Sequence, residues 1–410
     1  MKFSGFSLIS EYFMMAWAAL KSHKLRSVLT TLGILIGVTT IITIFTTIQG
    51  LNEYVIGQLS NIGSSTVYVE KFPWVITGDF WRYRNRKNVT YKEYEALTKF
   101  SIQADFIAPA VTTFKTVKYK NEVYDRVPIV GTNDQYKDTD NVAPAIGRFL
   151  TEMDVNRNHR VCVLGDDVAK KLFKDESPIG KRIKVGPDKY RVVGVNEKKG
   201  KAFGQSMDNY VLVPYGTFRG IFSGHRGMRI AMTTTDVSKV EELKDEIRGI
   251  MRKTRKIAAD DDDDFAINQQ DQLTKLYRDI TGTLFAIIFV IGGISLLVGG
   301  IGITNIMLVS VTERTREIGI RKAIGAKRKN ILSQFVLESV AIASIGGVIG
   351  IILGYFGGSV VLSQMELSTG VSLTSILVGF GFSSFTGVAA GFYPAWKAAR
   401  MNPIDSLHYE

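Results

Sequence analysis

Five short stretches hold residue types able to do chemistry: GVNEKKGKA from Gly194, WRYRNRK at 81–87, the aspartate run 260–264, Cys162 between two valines, and ERTREIGIRK from Glu313. The first follows a strand-like run, as a phosphate-binding loop would. Five residues rather than four separate its glycines, and Ala202 stands where a Ser or Thr would hold magnesium. It reads as a tight turn, so no nucleotide site is expected in this chain. The basic-aromatic stretch could approach nucleic acid. It reads better as solvated or lipid-facing surface, and no nucleic acid partner is expected. The aspartates could gather cations, yet like-charge runs are usually solvated loops. With one Cys and four His, neither an internal disulfide nor a metal site is expected. Cys162 reads as a small apolar residue in a buried strand. No clustered nucleophile or acid/base set emerges, which argues against an enzyme.

ERTREIGIRK remains, and its meaning depends on what positions it. The 410 residues are 45% hydrophobic and 22% charged with a net charge of +12, an ordinary balance distributed unevenly. Residues 27–52, 280–312, 339–365 and 367–396 carry no charge. Each exceeds the roughly 20 residues a helix needs to cross about 30 Å of hydrocarbon. The expected fold is a membrane protein of four transmembrane α-helices. A large α+β extracytoplasmic domain is inserted between helices 1 and 2. The domain has strand-like runs (STVYVE, RVCVLG, KYRVVGV) and helical ones (YKEYEALTKF, VSKVEELKDEIRGIMRK).

Basic residues near the helix ends set the orientation. Lys21, Lys24 and Arg26 precede the first helix, seven Lys and Arg lie at 314–329, and Lys397 and Arg400 follow the fourth. Both termini and the 313–329 segment are therefore expected in the cytoplasm, and residues 53–279 outside. Residues 1–26 place Phe6, Ile9, Phe13, Trp17 and Leu20 at helical spacing, an amphipathic helix in the inner interface. Ala16-Trp17-Ala18 resembles a signal cleavage site, but the charges of Glu11 and Lys21 onward oppose that reading.

Small residues recur every fourth position in the third helix (Gly346, Gly350, Gly354, Gly358) and in the fourth (Gly379, Ser383, Gly387, Gly391). Gly33 and Gly37 repeat the pattern briefly in the first. Such spacing lets backbones approach closely in lipid, so a tightly packed bundle without a wide aqueous pore is expected. Glu338, near the inner part of the 330–365 helical segment, is the intramembrane polar candidate. It either has a function or simply snorkels or pairs with a basic neighbour.

Within 313–329, Glu313, Arg314, Arg316, Glu317, Arg321 and Lys322 alternate with apolar Ile318, Ile320, Ala323 and Ile324. Gly319 is expected to bend the segment and Gly325 to stop it. It reads as a short amphipathic helix at the membrane surface, offering apolar residues to a partner groove. A plain positive-inside anchor would not require Glu313, Glu317 or the ordered glycines.

SLLVGGIGITNIMLVSVTERTREIGIRKAIGAKRKNIL, preceded by LRSVLTTLGILIGVTTII and followed by YPAWKAARMNPIDSLHYE, closely resembles the permeases of MacB type. These are FtsX-like mechanotransmitting ABC transporters. The outer segment resembles them too, through VGTNDQY, GRFLTEMD, VCVLGDDVAKKLF, PIGKRIKVG and YRVVGV. The resemblance implies a stalk carrying porter and sabre subdomains. It also implies pairing with a second permease, identical or not, and with two cytoplasmic ABC ATPase subunits. ATP and magnesium would be held by those ATPases, and none by this chain. A periplasmic adaptor is possible in this family. Glu313 through Gly325 would be the coupling helix, with 397–410 a cytoplasmic tail in a bacterial inner membrane. Relatives carry a fused amino-terminal ATPase, so this chain resembles a stand-alone permease. Extrusion of an antibiotic, peptide or lipoprotein-like substrate is the leading expectation. A signalling mechanotransmitter that activates an outer-face hydrolase or sensor is the alternative.

Overall fold

The computed structural model describes residues 24–60, 63–76, 78, 80–174, 176–202, 204–222, 227–365, 367 and 373–407, with side chains described from residue 31 to Leu59 in the first stretch. The amphipathic segment expected at residues 1–26 lies almost wholly outside these. The chain divides into two compact units, residues 56–277 and the combination of 1–55 with 278–410. Helix α1 (Lys24–Ser60) runs through the first boundary.

The inserted unit begins with a four-stranded sheet. Strand β1 (Thr66–Glu70) is flanked by β11 (Arg229–Thr233) and β12 (Ala266–Gln269), and β2 (Phe106–Tyr119) lies beyond β11, giving the order β12-β1-β11-β2. All neighbours are antiparallel. Helix α2 (Tyr91–Phe100) connects β1 to β2 and α3 (Val240–Arg255) connects β11 to β12, so the lobe is two split β-α-β units in ferredoxin-like order. Helix α3 is dictated locally. Val240, Leu243, Ile247 and Met251 bury one face, Glu241 and Glu242 sit in the first turn, and Arg252, Lys253 and Arg255 sit in the last. Buried Arg255 binds Glu93 of α2 at 3.0 Å and Asp264 at 2.8 Å.

The second lobe is inserted between β2 and β11. The outer half of β2 pairs with β3 (Glu122–Thr132) through a hairpin whose Lys120 takes φ +51°. From β3 the pairing passes to β10 (Val211–Pro214), β5 (Val161–Leu164), β7 (Asp188–Asn196) and β6 (Arg182–Val185), and β6 returns to β2. Six strands thus close a circuit, which removes exposed sheet edges. Strand β4 (Pro144–Gly147) adds to β7, and β8 (Lys201–Ala202) pairs with β9 (Gln205–Ser206). The circuit's interior is filled by residues such as Val117, Ile129, Cys162, Leu164, Tyr190 and Val192.

The other unit is helical. With α1 it comprises α4 (Gln270–Glu313), α5 (Thr315–Ala323), α6 (Arg328–Gln364), α7 (Leu373–Arg400) and α8 (Pro403–Leu407). Helices α1, α4, α6 and α7 are each long and apolar enough to cross a membrane. The inserted unit falls between the first and second of them.

The glycines mark where these helices meet. A Cβ on Gly346, Gly350, Gly354 or Gly358 of α6 would stand 3.3, 2.9, 2.7 or 2.9 Å from Ile34, Val38, Ile42 or Thr46 of α1. Thr39 and Thr43 of α1 donate their hydroxyls to the carbonyls of Gly350 at 3.3 Å and Gly354 at 3.1 Å. On α7, a Cβ on Gly387 would stand 2.8 Å from the Val340 backbone, and Gly391 faces Ser339, which donates its hydroxyl to Gly387 O at 2.9 Å. Gly379 lies against Ile42 and Ile351. A Cβ on Gly33 would stand 3.1 Å from Gly299 of α4, and one on Gly37 would stand 3.1 Å from Ser295. Pro394, inside α7, has no N–H for the carbonyl of Ala390 one turn earlier. Thr304 of α4 donates its hydroxyl to that carbonyl instead, at 2.8 Å.

Candidate coupling site

The site is α5, a helix of under three turns between two long apolar ones. Glu313 ends α4 and Arg314 breaks the run, with φ −99° and ψ 16°. Thr315 donates its hydroxyl back to Thr312 O at 2.8 Å, which fixes the corner. The far end closes on Gly325, at φ +102°. Gly325 N donates to Lys322 O and Ala326 N to Arg321 O, both at 3.0 Å, the paired bonds of a glycine-terminated helix.

One face of α5 is held. Ile318 is buried in the bundle core with Met307, Val311, Phe335 and Ala398. Gly319, expected from the sequence to bend the segment, lies inside α5, which continues through it without a break. It is small because α8 crosses there, with Ser406 Cβ 2.7 Å from where a Cβ would stand. Lys322 donates to Met401 O at the start of that tail, and burial lowers its pKa, helped by the nearby Arg328 charge. Arg321 reaches Gln334 of α6 at 2.6 Å and also pairs with Glu317. Arg314 lies 3.2 Å from both carboxylate oxygens of Glu338, whose side chain is 1% exposed. Glu338 therefore has a basic neighbour, as one of its expected readings required, and does not snorkel.

The opposite face is open. Glu313, Arg316, Glu317, Ile320, Ala323 and Ile324 are exposed, Ile320 at 44% and Ile324 at 82%. At helical spacing Arg316, Glu317, Ile320, Ala323 and Ile324 form one stripe of α5, apolar at its carboxyl end and charged at its amino end, with Glu313 just before the break. The four apolar residues read together from sequence are thus divided, Ile318 inward and the other three outward.

The remaining chemical candidates resolve into internal pairings. Gly194 lies in β7, where its missing side chain admits Arg148 O at 2.2 Å from a would-be Cβ. The amides of Lys199 and Gly200 bind the Asp208 carboxylate at 2.8 and 2.7 Å, so the protein's own anion fills the place a phosphate would take. The aspartate run is a loop, but it is not simply solvated. Asp262 pairs with Arg82, Asp263 with Arg248 and Arg252, and Asp264 with Arg255. The arginine of WRYRNRK that meets Asp262 is thereby accounted for, and Arg86 donates to Phe265 O at 2.8 Å. Cys162 is fully buried, and burial pushes its thiol pKa up, which suits an inert core residue.

Sequence reasoning missed three parts of the site and its bundle. The tail helix α8 carries a signal, Asn402 before Pro403 with Asp405 in the first turn, the pattern of a helix start. Gly292 and Gly299 of α4 receive Ile41 and Ile34 of α1, but they stand seven residues apart and escape a search for every fourth position. The Thr304 bond to Ala390 has no local signal.

The MacB-like periplasmic core domain family matches residues 27–250, and the FtsX-like permease C-terminal family matches residues 289–403. The macrolide export ATP-binding/permease protein MacB of Bdellovibrio bacteriovorus is 34% identical over 403 residues, covering 98% of this chain and 62% of that protein. MacB of Hahella chejuensis is 36% identical over 405 residues, covering 98% and 60%. The probable syringafactin export ATP-binding/permease protein SyfD of Pseudomonas syringae pv. tomato is 33% identical over 416 residues, covering 98% and 59%. The chain spans about three fifths of the length of these curated relatives. The crystal structure of the periplasmic region of MacB from Actinobacillus actinomycetemcomitans aligns with a TM-score of 0.45 at 21% identity, covering 54% of this chain and 96% of that one. With one family domain over its amino-terminal half and the other over its carboxyl-terminal helices, the chain belongs to the MacB-like permeases of FtsX type.

Proposed function

We propose that the chain is the permease subunit of an ATP-driven exporter, powered by an ABC ATPase that docks on the open stripe of α5. The reading rests on the division of α5 into a clamped face and an open one. A helix held by Ile318, Gly319, the Arg314–Glu338 pair and the Arg321–Gln334 bond cannot be displaced without moving α4, α6 and the tail. A partner engaging Ile320, Ala323 and Ile324 therefore pulls on the bundle rather than on a loose loop. In this reading α5 and the termini face the cytoplasm and the inserted unit lies outside. Two permeases pair, identical or not, and ATP and magnesium stay with the ATPases. Coupling travels outward through α1 and α4, the two helices that continue into the inserted unit, to drive extrusion there by mechanotransmission. The relatives are named for export of macrolides and of syringafactin, which supports a cargo of the expected antibiotic, peptide or lipoprotein-like kind.

The test is Ile320→Asp with Ile324→Asp. Burial of one isoleucine is worth about 1.5–3 kcal/mol, so loss of either contact weakens ATPase binding by about tenfold or more. The measurement is affinity for the ATPase that co-purifies with the wild-type chain, alongside protease accessibility of the inserted unit in spheroplasts. Unchanged affinity and unchanged ATP-driven activity, with topology preserved, would remove the stripe as the docking site.

A further inference from the structure

Helices α2 and α3 of the inserted unit pack against each other, and a groove of ≈ 510 Å³ runs between them. Its walls include Lys92, Glu95, Lys99 and Phe100 from α2, with Ile250 and Lys253 from α3. Three ammonium groups thus face one carboxylate. Among the described residues none of these lysines has a carboxylate partner, whereas the other bases of α3 are taken. Lys244 pairs with Glu241, Arg248 with Asp245, Arg252 with Asp263 and Arg255 with Glu93. Phe100 is 56% exposed, and the ammoniums of Lys99 and Lys253 lie 5.5 and 5.9 Å from its ring centre.

The groove also contains Gly249, in the interior of α3. Glycine weakens a helix interior relative to alanine. Among the described residues nothing uses the space, since beyond the helix's own adjoining backbone no atom lies within 4 Å of where a Cβ would stand. A glycine there suits a close approach from outside the chain. Lys92 and Lys99 stand two turns apart on α2, roughly 10 Å along its axis. One small headgroup cannot bridge that distance, but carboxylates two to four residues apart on one face of an extended peptide span roughly 7–13 Å.

We infer that this groove receives an acidic segment of a protein partner. Its backbone crosses Gly249, an apolar side chain rests on Phe100 and Ile250, and its carboxylates meet Lys92, Lys99 and Lys253. The test places a photo-crosslinking benzoylphenylalanine at Thr254, on the groove wall, in the full chain in its native membrane. The expected product is an adduct mapped by mass spectrometry to a protein stretch bearing two or more Asp or Glu. Its yield should fall about tenfold or more in Gly249→Trp, which fills the groove, and in Lys92→Glu/Lys99→Glu/Lys253→Glu, which reverses its charge. The triple variant changes only exposed side chains and so keeps the test valid should the tryptophan variant misfold. An adduct on phospholipid alone, no protein adduct, a stretch without carboxylates, or a yield indifferent to charge reversal would each overturn the assignment.

Discussion

Replacing single glycines by alanine along α6 should destabilise the bundle in an order set by the clearances to α1. A methyl on Gly346 meets Ile34 at 3.3 Å, on Gly350 meets Val38 at 2.9 Å, and on Gly354 meets Ile42 at 2.7 Å, with Thr39 O at 2.8 Å. Carbon atoms settle at about 3.5–4.0 Å, so Gly354→Ala requires the helices to part by about 1 Å. That shift also stretches the Thr43 bond to Gly354 O beyond its 3.1 Å. Overpacking of this kind costs about 1–3 kcal/mol, with an interhelical hydrogen bond adding about 0.6 kcal/mol. Gly387→Ala belongs with the severe cases, because its neighbour at 2.8 Å is the Val340 backbone, which has no rotamer to change. A Cβ on Gly293 or Gly381 would meet nothing within 4 Å among the described residues beyond its own helix backbone, so these two supply the controls. There alanine should be neutral, or stabilising by up to about 1 kcal/mol through helix propensity. The assay is denaturation of the purified chain in mixed micelles by dodecyl sulfate, followed by helical circular dichroism. Equal stability of Gly354→Ala and Gly381→Ala, or a rank order that ignores the clearances, would refute the reasoning.

Arg314→Ala should cost about 3–5 kcal/mol by leaving the buried Glu338 carboxylate unpaired, and Arg314→Met with Glu338→Leu should recover most of it in the same assay; no recovery would mean the pair is not the cause. Thr304→Val should lower stability by about 1 kcal/mol or more by stranding the Ala390 carbonyl, whereas the same substitution in a variant with Pro394→Ala should cost little, and equal losses in both backgrounds would count against the compensation. In the inserted unit, burial works to raise the Asp154 pKa, but hydrogen bonds from Arg148, Thr151 and His159 outweigh it and hold the carboxyl well below its ordinary 3.8. A depressed carboxyl contributes stability that is complete above pH 3.8 and is lost as pH falls through the lower folded value, so Asp154→Asn should flatten acid unfolding of this unit in that window; an unchanged profile would discount it. Glu317→Lys breaks the Arg321 pair as well as reversing a charge, so its effect on ATPase binding should be compared with Glu317→Gln, and the excess loss in the lysine variant assigns the electrostatic part.

The four long helices were legible because an uncharged run of such length has few other uses, and the α+β class of the insert followed from its alternating strand runs. The strand order was not legible. β1 takes its neighbours β11 and β12 from the far end of the segment, and nothing local in TVYVE names them. Gly319 shows a different limit. A glycine serves a bend and a close approach equally, and only the position of Ser406 decides between them. The division between Ile318 and Ile320 likewise depended on which side α8 and the bundle cover. The aspartate run looked solvated because the arginines that hold it, Arg82, Arg248, Arg252 and Arg255, are spread over two other elements.

The nesting of one lobe within another imposes an order on biogenesis. A chain made from its amino terminus releases every strand of the six-membered circuit before β11 or β12 exists. The circuit can close early, while β1 waits with both edges unpaired, an apolar strand of the kind that invites wrong partners. The long-range pairings of β1 come last and carry the largest closure entropy. Lesions in β11 or β12 should therefore yield aggregated chains that retain a protease-resistant core of residues 111–214, while lesions in β5 or β7 should leave no such core.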